Sequence, residues 1–239
     1  MKRFGITVLA TAVLASAALI LHAEEKDASG KGPNVSTEVK KDEKVTGSGV
    51  ATIDLAMKTA AWARETKNPA GLALAAKILG EVKTQDQPDI KKTEVGDKKG
   101  DAPKEATEVT PESLLAEAKA MAGDDAAAKA SIESIEKSGA TARGATYGAV
   151  RHDDVAYGGC YQQFEVAFDA GEIAEVAVSG SGNTDLDLFI YDDNGNLIVS
   201  DTSYGDRGYV SFLPFRTSNF YLRVVNQGSY ANSYSLYTN

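Results

Sequence analysis

The sequence predicts an α + β multidomain protein in which helical hairpins and disordered linkers precede a C-terminal antiparallel β-sandwich. Two observations on composition divide the chain. Of its seven phenylalanines, ten tyrosines and single tryptophan, all but Phe4 and Trp62 lie at Tyr147 or later, and every lysine lies at Lys137 or earlier. A third observation is that the hydrophobic period changes near Tyr147 from helical spacing to strict alternation. The aromatic segment therefore has the material for a sandwich core, whereas the earlier segment suits helices and linkers.

Residues 1–23 have the features of a secretory signal peptide. Lys2 and Arg3 form a positive start, residues 4–21 are apolar and uncharged, and Ala23 offers a small residue at a cleavage point. An uncleaved anchor is the alternative, because the apolar run is at the lower edge of a spanning length of about 20 residues. We expect cleavage, and therefore a periplasmic or secreted protein without membrane contact after cleavage.

The charge of the chain argues against binding to nucleic acid. The formal net charge is −9, and it becomes −11 when Lys2 and Arg3 are removed with the signal. From Tyr147 onward, twelve acidic residues stand against four arginines, which gives −8. Such a field repels phosphates and anionic lipid, and it favours cations or simply solubility. Cys160 is the only cysteine, so no intrachain disulfide forms.

Three segments are predicted to be linkers. Residues 24–47 are charged and polar with few apolar side chains, so they cannot bury enough surface to offset their ordering entropy, and we expect disorder. Residues 83–109 are a second charged linker that contains proline. Residues 139–145 are small and only loosely apolar, and they connect to the sandwich domain, residues 146–239, which we expect to fold alone.

Residues 48–82 are predicted to form a helical hairpin. In its first helix, Leu55 and Trp62 lie seven residues apart with smaller apolar residues around them, which predicts an apolar face at this position. Asn68 suits an N-cap and Pro69 the first helical position, so a second helix follows after a short connection.

Residues 110–138 are predicted to form another helical hairpin. Thr110 suits a capping position before Pro111, and the Gly123-Asp124 pair ends the first of its helices. The two hairpins either pack as a loose four-helix unit or act as separate partner-binding helices. The 27-residue linker between them favours separate helices.

Eight short alternating segments with glycine or asparagine between most of them predict the strands of the sandwich. They are Ala149–Asp154, Gln162–Phe168, Ile173–Ser179, Asp185–Tyr191, Leu197–Ser200, Tyr209–Phe212, Phe220–Val225 and Ser233–Tyr237. In the fourth, the alternation places Leu188 and Ile190 on the buried face and Phe189 on the opposite face. The Asn194-Gly195 pair after it is typical of a turn with positive φ at both central positions.

Three motifs in this region together resemble the bacterial pre-peptidase C-terminal domain. They are the Ser179–Gly182 loop that runs into Asp185-Leu186-Asp187-Leu188, the strand at 220–224, and the Tyr234-Ser235-Leu236 end. The resemblance covers about residues 151–239 and implies a jelly-roll-like β-sandwich. It also implies a non-catalytic accessory module of a secreted protein. Some members of that family bind calcium or polymeric substrates. This chain carries no recognisable protease domain.

A local excess of oxygen ligands makes calcium a candidate cofactor. The candidate metal ligands are Asp185, Asp187, Asp192, Asp193 and Asn194. Oxygen atoms close together in a short stretch are what Ca²⁺ requires, although the spacing fits no EF-hand. The alternative is that the first two acids bind loop amides and the others decorate an exposed turn.

A candidate ligand-binding face consists of Tyr191, Tyr209, Tyr221 and Arg223, which are predicted to line one outward surface. Exposed aromatic side chains on a sheet stack on sugars or hold extended peptides. The alternative is that these tyrosines pack at the edge of the sandwich with the hydroxyl in water.

His152 and Cys160 offer an enzymatic alternative, because a cysteine nucleophile needs a histidine within hydrogen-bond reach. Nothing like a protease motif surrounds Cys160, and the sequence contains no serine-nucleophile elbow, zinc motif or phosphate loop. We therefore predict a non-enzymatic binding, adhesion or accessory protein for an extracytoplasmic protein or polysaccharide. A structural spacer whose helices recruit a partner is the other alternative, and no nucleic-acid partner is expected.

Overall fold

The structure is a computed structural model. It describes residues 32–36, 48–87, 89–98, 100, 109–139, 148–180 and 184–239. The predicted signal segment and residues 140–145 of the third linker lie outside the described residues. None of the described helices combines the length and apolar character that are needed to cross a lipid bilayer.

Four helices form where the sequence predicts them. They are α1 (Gly49–Glu65), α2 (Pro69–Gly80), α3 (Pro111–Ala122) and α4 (Ala126–Gly139). Asn68 and Thr110 cap α2 and α3 through their side chains, each ahead of a proline at the first helical position. The side chain of Asp125 accepts hydrogen bonds from the first amides of α4. The capping residues therefore determine where these helices begin.

The buried face of α1 differs from the predicted one. Leu55 and Trp62 are 54% and 51% exposed, whereas the buried stripe combines small residues with Val50, Ile53 and Met57. The reason is the close approach of α1 to α2, since a β-carbon placed on Gly71 would lie 2.9 Å from Cβ of Ala63. Small side chains allow the two helices to pack at this distance, while the ring of Trp62 lies at the margin of the contact, 3.0 Å from the same β-carbon position.

The two helical hairpins share one core, which is the four-helix alternative of the two that the sequence left open. Helix α2 contacts α1, α3 and α4, and Leu72, Leu114 and Ile132 are each buried in the common cluster. Each helix has a narrow apolar stripe, which is buried fully only when several helices share it. The cluster also includes Ala149, Ala177 and other sandwich residues, so the helices pack on the sandwich.

Ten strands form two sheets in the described part of the chain. They are β1 (Thr84–Asp86), β2 (Lys92–Val95), β3 (Ala149–Ala156), β4 (Tyr161–Phe168), β5 (Ala174–Gly180), β6 (Leu186–Tyr191), β7 (Leu197–Asp201), β8 (Arg207–Phe212), β9 (Ser218–Asn226) and β10 (Asn232–Thr238). The last eight match the predicted strands to within two residues at each end. The back sheet has the order β1-β3-β10-β5-β8, and the front sheet has the order β2-β4-β9-β6-β7. All neighbours are antiparallel except β1 and β3, so the architecture is α + β with a β-sandwich.

Strands β1 and β2 lie within residues 83–109, the segment that was predicted to be a linker. They add an edge strand to each sheet by pairing with β3 and β4. Most of their residues are exposed and polar, so no alternating pattern marks them in the sequence. Backbone pairing with an existing sheet edge, which is a tertiary effect, makes them strands.

Residues 32–36 belong to the segment predicted to be disordered, and three of them, Asn34, Val35 and Ser36, contact the sandwich. Asn34 is fully buried, and its backbone amide donates to Asp192. Its side chain donates to the Arg216 carbonyl at 2.9 Å and to the Ser218 hydroxyl at 2.8 Å, and it accepts from the Arg216 amide. This full set of hydrogen bonds offsets the ordering of residues 32–36, whose polar composition predicts disorder.

The inner core lies between the two sheets. Leu186, Leu188 and Ile190 are fully buried there, and Phe189 lies on the opposite face of β6, as the alternation predicts. On the outer side of the back sheet, Ala177 and Tyr237 pack into the helical cluster. The molecule therefore has three layers, and the outer face of the front sheet points away from the helices.

Candidate binding face on the front sheet

The outer face of the front sheet is organised around β9, the central strand of that sheet. The register places Arg223 between Gln163 of β4 and Phe189 of β6. One pair further along, Tyr221 lies beside Tyr191. Because cross-strand neighbours on one face are about 5 Å apart, these side chains form a continuous surface. We call this surface the aromatic face.

Arg223 lies between two tyrosine rings at the centre of the aromatic face. Its Cζ atom is 4.4 Å from the ring centroid of Tyr161 and 4.5 Å from that of Tyr191. Its Nε and Nη2 atoms donate to Oε1 of Gln163, at 3.3 Å and 2.9 Å. Nη1 is 3.5 Å from the Tyr191 hydroxyl. Stacking and hydrogen bonds together hold the guanidinium plane in one orientation.

Apolar side chains extend the aromatic face beyond the arginine. The rings of Phe189 and Tyr191 stack with centroids 6.5 Å apart and planes inclined by 25°. Val95 on β2 and Leu197 on β7 lie at the two edges, and about half of each side chain is exposed. A row of rings with open apolar flanks offers area for stacking on a flat ligand.

The structure brings three of the four predicted face residues together and corrects the fourth. Tyr191, Tyr221 and Arg223 share the aromatic face, but Tyr209 lies on β8 of the back sheet. There it packs against the helical cluster, with the Lys58 ammonium 5.8 Å from its ring centroid and its hydroxyl bonded to Glu175. Alternation along a strand predicts a face of that strand, but it does not predict which sheet the strand joins.

Three residues of the aromatic face were missed: Tyr161, Gln163 and Phe189. Strict alternation along β6 places Phe189 beside Tyr191, so this residue could have been found from the sequence. The other two alternate with buried Gln162 and Phe164 on β4, which predicts exposure but not that β4 pairs with β9.

The predicted metal ligands each have a protein partner. Asp185 accepts from the Gly205 amide at 2.8 Å, and buried Asp187 accepts from the Gln227 side chain at 2.6 Å. Asp193 forms an ion pair with Arg216. In the described ranges, no three acidic, histidine or cysteine side chains come together in a geometry that holds a metal ion. These contacts favour the structural interpretation of the acids, and calcium binding stays a prediction.

Asp192 is fully buried and organises the turn between β6 and β7. Its Oδ1 atom accepts from the amides of Asn194 and Asn196, and its Oδ2 atom accepts from the Asn196 side chain and the Asn34 amide. Gly195 has a φ of +82°, but Asn194 is not among the described residues with positive φ, so that part of the turn prediction is wrong. The carboxylate, rather than paired left-handed residues, determines the shape of this turn.

His152 lies in the back sheet, whereas Cys160 lies in the loop before β4 of the front sheet. His152 is on β3, and its Nδ1 and Nε2 atoms contact the Gln87 carbonyl at 2.9 Å and Asp154 at 3.4 Å. Cys160 is buried just before β4. The bond to Asp154 raises the pKa of His152 above its usual value. Both ring nitrogens of His152 thus contact groups other than Cys160, and the non-enzymatic interpretation stays a prediction.

Comparisons with known proteins identify no family. No family model and no curated protein matches the chain. Among solved structures, a de novo designed double-stranded β-helix is 12% identical, covering 37% of this chain and 97% of its own, with a TM-score of 0.25. The periplasmic inhibitor of g-type lysozyme PliG from Aeromonas hydrophila is 14% identical, covering 39% of this chain and 75% of its own, at 0.23. A carbohydrate-binding module of Cellvibrio mixtus lichenase 5A, in complex with cellotriose, is 10% identical, covering 34% of this chain and 71% of its own, at 0.24. Similarities of this size carry no argument about function.

Proposed function

We propose that the chain is a periplasmic or secreted, non-enzymatic protein that binds an extracytoplasmic polysaccharide on the aromatic face. The observation that carries the proposal is the asymmetry of the sandwich. The back sheet packs its outer side chains against the helices, whereas the front sheet presents tyrosine, phenylalanine and arginine on the side away from them. A row of partly exposed rings with one oriented arginine suits recognition of a ligand.

The position of the aromatic face supports a sugar polymer over a protein. An extended peptide gains most of its affinity by pairing with a free sheet edge. Strand β9 is central, and its backbone pairs with β4 and β6 along its length. Recognition at Arg223 must therefore come from side chains, and flat rings such as Tyr221 suit the apolar faces of sugars.

The remaining parts of the proposal come from the sequence. The signal-like start supports export, and the resemblance to the pre-peptidase C-terminal domain supports a jelly-roll-like, non-catalytic module. Calcium, as a structural ion near Asp187, belongs to the same resemblance. The acidic charge of the sandwich argues against nucleic acid and anionic membranes as partners.

A binding panel tests the proposal. The full mature chain is applied to insoluble and soluble polysaccharides, both neutral and acidic, and retention is compared between wild type and single variants. We expect Tyr191→Ala and Tyr221→Ala to weaken binding by about three- to tenfold each, from the loss of one stacking ring. Tyr204→Ala is the matched control, because Tyr204 is 94% exposed and lies in the loop before β8.

Thermal melts of each variant separate lost binding from lost folding. Equal retention of wild type, Tyr191→Ala and Tyr204→Ala on every polysaccharide would remove the aromatic face as the binding site. Absence of wild-type binding to all members of the panel would overturn the proposed function.

One observation favours a second candidate, a spacer whose helices recruit a protein partner. Leu55 and Trp62 both project from α1 opposite its buried stripe and are half exposed. Trp62→Ala should then abolish capture of a partner from periplasmic extract and leave polysaccharide retention unchanged. A loss of polysaccharide retention in this variant would place the two candidate sites in one surface.

A further inference from the structure

Arg223 differs from the other three arginines of the sandwich domain in its electrostatic partners. Arg151, Arg207 and Arg216 each form an ion pair with an aspartate. Among the described residues, no carboxylate lies within ion-pair distance of Arg223; its contacts are an amide oxygen, a hydroxyl and two rings. A cation without a carboxylate on a domain with a formal charge of −8 is an unusual arrangement.

The hydrogen-bond geometry leaves one edge of this guanidinium open. The group has five N–H donors in a rigid plane. Gln163 accepts from Nε and from one Nη2 hydrogen, both on the same edge of the plane. The contact of Nη1 with the Tyr191 hydroxyl is long, at 3.5 Å. The edge between Nη1 and Nη2 therefore keeps a parallel pair of donors, which matches the two oxygens of a carboxylate.

The two tyrosine rings strengthen anion binding at that open edge. The ring centroids of Tyr161 and Tyr191 both lie within 4.5 Å of the guanidinium carbon, so the rings displace water from it before any ligand arrives. Arginine is weakly hydrated, and stacking fixes its plane, so little conformational entropy is lost when a ligand binds. This is a preorganised anion site and not a flexible surface cation.

We propose that Arg223 binds the carboxylate of an acidic sugar in a polysaccharide whose acidic sugars are separated by neutral ones. The proposal rests on the polysaccharide-binding function proposed above and specifies the ligand class. The spacing follows from charge: a single carboxylate meets Arg223 at close range, while the acidic field of the domain opposes a densely charged polymer. The neutral sugars lie on the aromatic rings beside the arginine.

A pair of polymers that differ only in charge tests the proposal. Hyaluronan alternates a uronic acid with a neutral amino sugar, and its carboxyl-reduced form has the same backbone without the charge. We expect wild type to bind hyaluronan about tenfold to a hundredfold more tightly than the reduced polymer, the range expected for a charge-assisted bidentate contact. The measurement is calorimetry with the full mature chain.

Variants of two arginines assign the effect to one residue. Arg223→Lys keeps the positive charge but loses the planar fork, and we expect it to bind both polymers with the weak affinity that wild type has for the reduced one. Arg216→Lys is the control, because Arg216 is already paired with Asp193 and lies away from the central stack. We expect this control to match wild type, and melting curves confirm that both variants are folded.

The outcomes separate this inference from the proposed function. Equal wild-type affinity for hyaluronan and for its reduced form overturns the carboxylate contact but leaves a polysaccharide-binding face. Binding confined to neutral polymers has the same consequence. Binding of poly-glutamate as tight as that of hyaluronan overturns the sugar as ligand in favour of an acidic peptide. Failure of every polymer to bind wild type overturns the proposed function itself.

Discussion

Replacing Asp192 with alanine tests whether the acidic turn after β6 is structural or binds calcium. The carboxylate accepts four hydrogen bonds, from the amides of Asn194, Asn196 and Asn34 and from the Asn196 side chain, at 2.8–3.0 Å. In the variant, water can reach the amide of exposed Asn194, whereas the amides of fully buried Asn34 and half-buried Asn196 lose their acceptor. Two of the four donors are thus poorly compensated.

The expected magnitude follows from these donors. A buried donor without its partner costs about 1–3 kcal/mol, so two of them lower the free energy of unfolding by about 2–6 kcal/mol. For a domain of this size, that corresponds to a fall in Tm of roughly 4–24 °C. Asp193→Ala is the control next in the chain. Its ion pair with Arg216 is solvent-exposed, so the expected change is below about 1 kcal/mol.

Differential scanning calorimetry in chelator, calcium and magnesium provides the assay. If Asp192 is structural, its variant shows the same loss in all three solutions, because the lost partners are protein amides. A loss seen only in calcium would show that Asp192 is a metal ligand and refute the hydrogen-bond argument. If Asp192→Ala and Asp193→Ala have the same Tm in every solution, the expected structural contribution of Asp192 is refuted.

Three further predictions concern the sandwich. Leu188→Asp should abolish folding, because an unpaired charge at a fully buried position of the inner core costs several kcal/mol; a variant with a parent-like melt by circular dichroism would contradict the register. Residues 146–239 alone should melt lower and less cooperatively than residues 48–239, because β1, β2 and the helices are missing; coincident melts would mean that these parts add no stability. The bond to Asp154 raises the pKa of His152, so its contribution to stability is present below pH 6.5 and is lost as the pH rises through the raised value. Wild type should therefore lose its stability advantage over His152→Gln as the pH rises above 6.5, and a pH-independent difference in urea midpoints would contradict this linkage.

The same Asp154 joins the two sheets at the edge that carries β1 and β2. His152 of the back sheet and Lys92 of β2 both bond to its carboxylate, and the Val155 amide is a third donor. Burial disfavours the ionised form, but these bonds together lower the pKa of Asp154 to about 2. Its contribution to stability is present above pH 3.8 and is lost as the pH falls through the lowered value. None of these pairings follows from the local sequence.

The sequence alone determined the features that depend on neighbours along the chain. Caps at Asn68 and Thr110 placed two helix starts, and alternation placed eight strands and the buried positions of Leu188 and Ile190. These features are local because a cap or a strand face is fixed by residues within a few positions of one another.

Only the tertiary structure decided which elements lie side by side. Because β8 belongs to the back sheet, Tyr209 lies away from the aromatic face. Because β4 pairs with β9, Tyr161 lies beside Arg223. Close packing of α1 on α2 buried small residues of α1 and left Leu55 and Trp62 half exposed, and pairing with free edges made strands of a polar segment. The physical reason is that these contacts join residues far apart in the chain, so their free energy depends on what the fold brings opposite and not on local propensity.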